Sequence, residues 1–195
     1  MDYLKQANDL YTKWIIMSNI LKNTKVYLAG NMEHTDDSVN WRNYMAYNLK
    51  EMDIKVLSPL DTMFINQNGE TDADRCRLKR ERQSENYEYV AEYMKGIVQK
   101  DLRLIDLSDY VIVNMEIKKP TFGTIHELVI AIQQKKPVFL AVGDKRDCPL
   151  WLLGIVNPKY IYNNIDEILS MIRKIDSGER EIDIKRWRLL LPEHR

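Results

Sequence analysis

Residues 110–142 read YVIVNMEIKKPTFGTIHELVIAIQQKKPVFLAV, and this stretch decides the fold. Tyr110-Val-Ile-Val113 is apolar without alternation, as a strand covered on both faces must be. Pro137-Val-Phe-Leu-Ala-Val142 has the same character. Between them, Gly123 to Gln134 places Ile125, Leu128, Val129 and Ile132 on one side of a helix. A strand, a helix and a second strand of this kind form the crossover unit of a parallel sheet.

Further buried strands lie outward from this unit. Lys25-Val-Tyr-Leu-Ala29 ends at Gly30, Ile54-Lys-Val-Leu-Ser58 is closed by Pro59, and Tyr160-Ile-Tyr162 is a short fifth. Helical spacing recurs over Ser38–Met52, with Ser38 as its N-cap, over Ser84–Ile105 and over Ile165–Ile175. The pattern predicts an α/β fold, a five-stranded parallel sheet with helices on both faces. Residues 61–83 are the least regular part, a turn at Asn66–Gly69 followed by the charged run DADRCRLKRERQ, in which Arg75 to Arg82 read as a solvated helix face. Leu4, Ala7, Leu10, Tyr11, Trp14, Ile15 and Met17 recur as one face of an N-terminal amphipathic helix, stopped at Asn23. The expected divisions are this helix (1–23), the α/β domain (24–176) and a charged tail (177–195). In the tail, Trp187 and Leu189–Leu191 are expected to dock on the parent domain or on a neighbouring subunit.

The charges balance, with Lys plus Arg at 29 and Asp plus Glu at 29. A formal charge of zero argues against wrapping a nucleic acid polymer or lying on an anionic membrane, and places little restraint on self-association. Cys76 and Cys148 share no metal-site spacing and read as plain thiols, so no metal is expected. The chain opens with acidic and polar residues where a signal peptide needs a basic stretch and an apolar run. No apolar run approaches membrane-spanning length, and the expected location is cytoplasmic.

An open parallel sheet binds ligands beyond the carboxyl ends of its strands. That directs attention to the loops from Gly30 to Asn40, from Ser58 onward and from Asn114 to Thr124. In Pro120-Thr-Phe-Gly-Thr-Ile-His-Glu-Leu128 a glycine turn runs into a helix, with Glu127 in the first turns, where N–H groups favour an ionised carboxylate. Such a carboxylate can attack an electrophilic sugar carbon and hold it as an ester. A second carboxyl is needed to protonate the leaving group, and Asp101 is the candidate. Tyr27, on the first strand, is placed to hydrogen-bond Glu127. Each residue also has a plain structural reading: dipole-matched glutamate, solvated aspartate, core tyrosine. Trp41 and Arg42 read equally as a packing aromatic and a salt bridge, Asp109 as a helix terminator, and His126 as a surface residue.

The order of these segments carries more than any one of them. VYLAG at strand one, WR entering the next helix, KD…SD before a buried strand, then PTFGTIHEL and a KPV strand resembles the nucleoside 2-deoxyribosyltransferase family, over Lys25 to Val142. The resemblance implies a flavodoxin-like sheet, with Glu127 as nucleophile, Tyr27 orienting it and Asp101 handling the leaving base. Gly30, Asn31 and Met32 fall on the family's base pocket; Trp41, Arg42, Asn114, Thr121 and Gly123 complete the expected substrate contacts. It also implies a small nucleoside or nucleotide substrate, no metal or organic cofactor, and a homo-oligomer whose sites are completed by a neighbour. One position departs: transferring members often carry aspartate six residues before the nucleophile, where this chain has Thr121. A hydroxyl there is similar to the nucleotide N-hydrolases of the same superfamily. The loop Asn-Met-Glu-His-Thr-Asp-Asp, however, holds three acids that would repel a phosphate, which favours a nucleoside. The expected function is transfer of deoxyribose between bases through a glutamyl-sugar intermediate. The alternatives are a nucleoside monophosphate N-hydrolase and a non-catalytic nucleotide-binding module.

Overall fold

The computed structural model describes residues 19–31, 39–60 and 72–179. The predicted N-terminal helix, the Ser38 cap, Met32 and the C-terminal tail therefore lie outside the described residues, apart from the turn at 19–23 and residues 177–179. Five strands form one sheet: β1 (Lys25–Gly30), β2 (Lys55–Leu57), β3 (Tyr110–Asn114), β4 (Val138–Ala141) and β5 (Ile161–Tyr162). Their order is β2-β1-β3-β4-β5 and all pairings are parallel. The order reverses direction between β1 and β3, so the carboxyl ends of these strands, Gly30 opposite Asn114, form the switch point.

The helices are α1 (Asn40–Lys50), α2 (Asp72–Gln83), α3 (Tyr87–Leu107), α4 (Phe122–Gln133), the short α5 (Leu150–Ile155) and α6 (Ile165–Asp176). Because successive strand side chains alternate, the sheet separates two cores. Val26, Leu28 and Phe139 pack with Met45 and Leu49 of α1 and Ile168 and Ile172 of α6. Tyr27, Ala29, Val111 and Val113 pack with Leu104 and Ile105 of α3 and Leu128 and Ala131 of α4. The start of the sheet is tied by Asp109, whose N–H donates to Lys25 O (2.7 Å) and whose Oδ2 accepts from Lys25 N (2.6 Å). Asp109 thus joins β1 to β3 as well as following α3. Lys136 Nζ donates to Asp106 O (3.1 Å) and to Ser108 O, meeting carbonyls that the end of α3 leaves open.

Residues 72–83, the charged run read as a solvated helix face at the end of the least regular part, form helix α2. Its apolar stripe is nearly absent; instead Arg77 carries its guanidinium over the rings of Tyr89 and Tyr93 of α3 and pairs with Asp74 at 2.8 Å. Residues 150–155 form α5, a helix the sequence pattern did not suggest because one turn and a half shows no period. The strand expected over 54–58 pairs only at 55–57, as suits the edge of the sheet.

Candidate active site

Tyr27 stands in the middle of β1, fully buried, with its ring on the α3/α4 side. Its hydroxyl donates to Glu127 Oε1 at 2.6 Å, the length of a charge-assisted O–H···O bond. Burial first, then the charges of Glu127 and Asp101 and the bond to Glu127, push the phenol well above its ordinary pKa, opposed by Arg42. The phenol is therefore held as a donor, and the carboxylate is held as its acceptor. The charge of Asp101, on α3, also acts on this phenol.

Glu127 is buried, at 9% exposure. It is the sixth residue of α4, beyond the first turn whose free N–H groups were expected to favour its charge. The helix start is closed instead by Thr121, whose Oγ1 accepts from Thr124 N (3.5 Å). The hydroxyls of Thr121 and Thr124 lie 2.8 Å apart and donate to Asn31 Oδ1 at 3.3 and 3.4 Å, while Asn31 Nδ2 donates to Lys119 O at 2.7 Å. Thr121 and Asn31 thus lock the β3–α4 loop onto the end of β1. Gly123 is exposed and a Cβ there would meet nothing within 4 Å, so no packing demands a glycine.

Gly30 is different. A Cβ on it would stand 2.8 Å from Asn114 O and 2.8 Å from Trp41 Cζ2, so the crossing of β1, β3 and α1 closes only with hydrogen there. Arg42 is 2% exposed, its Nε donating to Leu28 O (3.3 Å) and its Nη2 to Gly30 O (2.8 Å). The guanidinium braces the carboxyl end of β1 from within and is not presented to a ligand phosphate. Trp41 and Asn114 instead line a cleft of about 380 Å³ on the α1/α6 side, with Asn31, Glu116, Gly143 and Ile165. Glu127 is not in that lining. The expected residues are therefore distributed: Tyr27, Glu127 and Asp101 on one face, Trp41 and Asn114 on the other, Gly30 and Asn31 at the seam. His126 is exposed.

Sequence reasoning passed over Lys100. Its Nζ donates to Pro59 O, just beyond β2, at 3.0 Å, and lies 3.7 Å from Asp101 Oδ1. Among the described residues no group of three or more His, Cys, Asp and Glu side chains is gathered as a metal site would require. No described helix is long and apolar enough to cross a membrane.

A buried carboxyl on a phenol thus lies beneath the switch point of a 2-1-3-4-5 sheet. The sequence profile of the family described as "Nucleoside 2-deoxyribosyltransferase" matches residues 26–175. The chain belongs to that family. Family membership places its chemistry at the bond between a nucleobase and its sugar. Among solved structures, it is similar in fold to a 2-deoxyribosyltransferase from Bacillus psychrosaccharolyticus, at 15% identity and a TM-score of 0.53, covering 75% of this chain and 90% of that one. A looser likeness, TM-score 0.44 at 17% identity, covers 76% of this chain and 97% of a CMP N-glycosidase from Clostridium botulinum. Comparison with curated proteins by sequence finds no match.

Proposed function

We propose that this deoxyribosyltransferase-family chain transfers 2-deoxyribose between nucleobases, with Glu127 as nucleophile. The observation that carries the reading is the 2.6 Å bond from Tyr27 to Glu127 with the Asp101 charge felt at the same phenol. Glu127 attacks the anomeric carbon, the bond to the base nitrogen breaks, and that nitrogen takes its electron pair and a proton from Asp101. A second base then gives its N–H proton to the Asp101 carboxylate as its nitrogen attacks the anomeric carbon, the ester C–O bond breaks, and Glu127 leaves as carboxylate. The absence of a 2′-hydroxyl eases the oxocarbenium-like transition state, so the electrostatics of two carboxyls suffice. Gly30 and Asn31 would border the base. Burial of Arg42 against β1 carbonyls, together with the acidic residues Glu33, Asp36 and Asp37, supports a nucleoside over a nucleotide.

The test is to mix the protein with deoxyinosine and free adenine and separate the products by chromatography. Deoxyadenosine is the expected product. Free deoxyribose alone would make the chain a hydrolase, a phosphate requirement would make the substrate a nucleotide, and no turnover would leave a binding module. Glu127→Ala with retained thermal stability should abolish the reaction; unchanged turnover would remove Glu127 from the mechanism.

The same reading includes a homo-oligomer, and α3 supplies its support. Tyr87, Ala91, Met94 and Val98 form an exposed stripe at a spacing of four, three and four. A second copy of α3 packed antiparallel across a two-fold axis would cover this stripe with its own. Met94→Glu should then shift the sedimentation coefficient toward the monomer, and an unchanged value would exclude this face.

A further inference from the structure

Lys100 has a position that packing alone does not explain. Its ammonium is drawn back over the end of β2 to the Pro59 carbonyl at 3.0 Å, and its side chain is only 15% exposed. A lysine on a surface helix normally extends its charge into water. From this tether it meets Asp101 Oδ1 at 3.7 Å, and the Asp101 side chain is 14% exposed. The charged groups facing the same point from other elements are Glu127 of α4 and, acting on Tyr27 of β1, Arg42 of α1. Glu127 and Asp101 are two carboxyls around one phenol, and Lys100 is the cation directly beside the second.

We propose that Lys100 is a positioning residue for departure of the base: pinned to the Pro59 carbonyl, its ammonium orients Asp101 and stabilises the carboxylate that remains once Asp101 has given up its proton. This rests on the proposed function, in which Asp101 is the acid. A carboxyl beside Glu127 alone would resist becoming a second anion; a fixed cation at 3.7 Å makes that product of proton transfer cheaper to form. The proton passes from Asp101 to the base nitrogen, and Lys100 keeps all of its own protons.

The test uses the full chain with Lys100→Met and Lys100→Arg. The Asp101 carboxyl carbon is followed by NMR against pH, its signal identified by its loss in Asp101→Asn. Lys100→Met should raise the titration midpoint by about one pH unit and Lys100→Arg should restore it. In base exchange, the limb of the kcat/KM profile on which activity falls with rising pH should move upward by a similar amount in Lys100→Met. kcat at the optimum should fall about tenfold with little change in KM. An unmoved Asp101 titration in Lys100→Met overturns the inference even if the enzyme is active. A moved titration with an unmoved profile removes it from catalysis. A wild type without turnover, by contrast, defeats the proposed function, and the titration still decides whether Lys100 governs Asp101.

Discussion

Val26 and Leu28 leave β1 on one side, Tyr27 and Ala29 on the other, and the two interiors they enter are built differently. Toward α1 and α6 the strand meets a continuous apolar layer in which Phe139 packs edge-on to Tyr110 and Tyr160, with ring centroids at 6.0 and 5.5 Å. A buried charge there, Arg42, is directed at backbone carbonyls. Toward α3 and α4 the same strand puts a phenol onto a buried carboxylate. Both interiors hold charge, yet one charge secures the main chain and the other is held by a side chain that stays protonated. Burying an ion is costly unless its partners are fixed. A buried ion joined to the backbone is accounted for by the fold; a carboxyl joined to a phenol inside the sheet is what the proposed reaction would use.

The division can be broken by experiment. Glu127→Gln keeps the shape of the α3/α4 side and should lower turnover by about a thousandfold or more, roughly 4 kcal/mol in barrier. Its chemical denaturation midpoint should stay near that of the wild type; a large loss of stability would make Glu127 a structural residue. On the other side, Phe139→Ala should cost about 3–4 kcal/mol in urea unfolding. The fraction still folded should keep its kcat/KM, and a fall there would show that the two interiors are not separable. Gly30→Ala, at the seam, forces a methyl to 2.8 Å from both Asn114 O and Trp41. It should cost about 2 kcal/mol and disturb stability and turnover together.

Tyr27→Phe should slow turnover roughly tenfold while unfolding shifts by about 1 kcal/mol, because a single hydrogen bond is removed from a ring that still packs. The smallest effect concerns Asp176, a buried acid ending α6, whose Oδ1 accepts from Leu21 N at 2.8 Å. Burial raises its pKa above the ordinary value. Its protonated form therefore favours the fold, and that contribution is lost as pH rises through the raised value. Asp176→Asn keeps an acceptor for Leu21 N without the charge. It should be at least as stable as wild type at pH 7 and lose the advantage toward pH 4, read from Tm across that range.

The sheet was legible because each strand that pairs on both sides is an unbroken apolar run. Residues 110–113 and 137–142 gave the unit, and their neighbours followed within a residue or two. Helix α2 was legible as a charged helix face but not in its packing: its twelve residues, DADRCRLKRERQ, offer no apolar face, and its contact with α3 runs through Arg77 over two tyrosines, which no hydrophobic period reports. At the site, Tyr27, Asp101 and Glu127 could be singled out because their types and order fit one chemistry. Arg42 beside Trp41 looks the same on paper whether it faces a ligand or a carbonyl, and only the path of α1 across the end of β1 separates the cases. Lys100 was hidden for the opposite reason, as one lysine among the many charges of a long amphipathic helix. Its meaning comes from Pro59, some forty positions earlier.

The clasp between Arg42 and the carbonyls of Leu28 and Gly30 has an evolutionary consequence. Strand end and helix start are fastened to each other from inside, by one side chain that serves two carbonyls. A lineage that gave up this arginine would have to find another donor for the edge of the sheet before it could keep the helix in place.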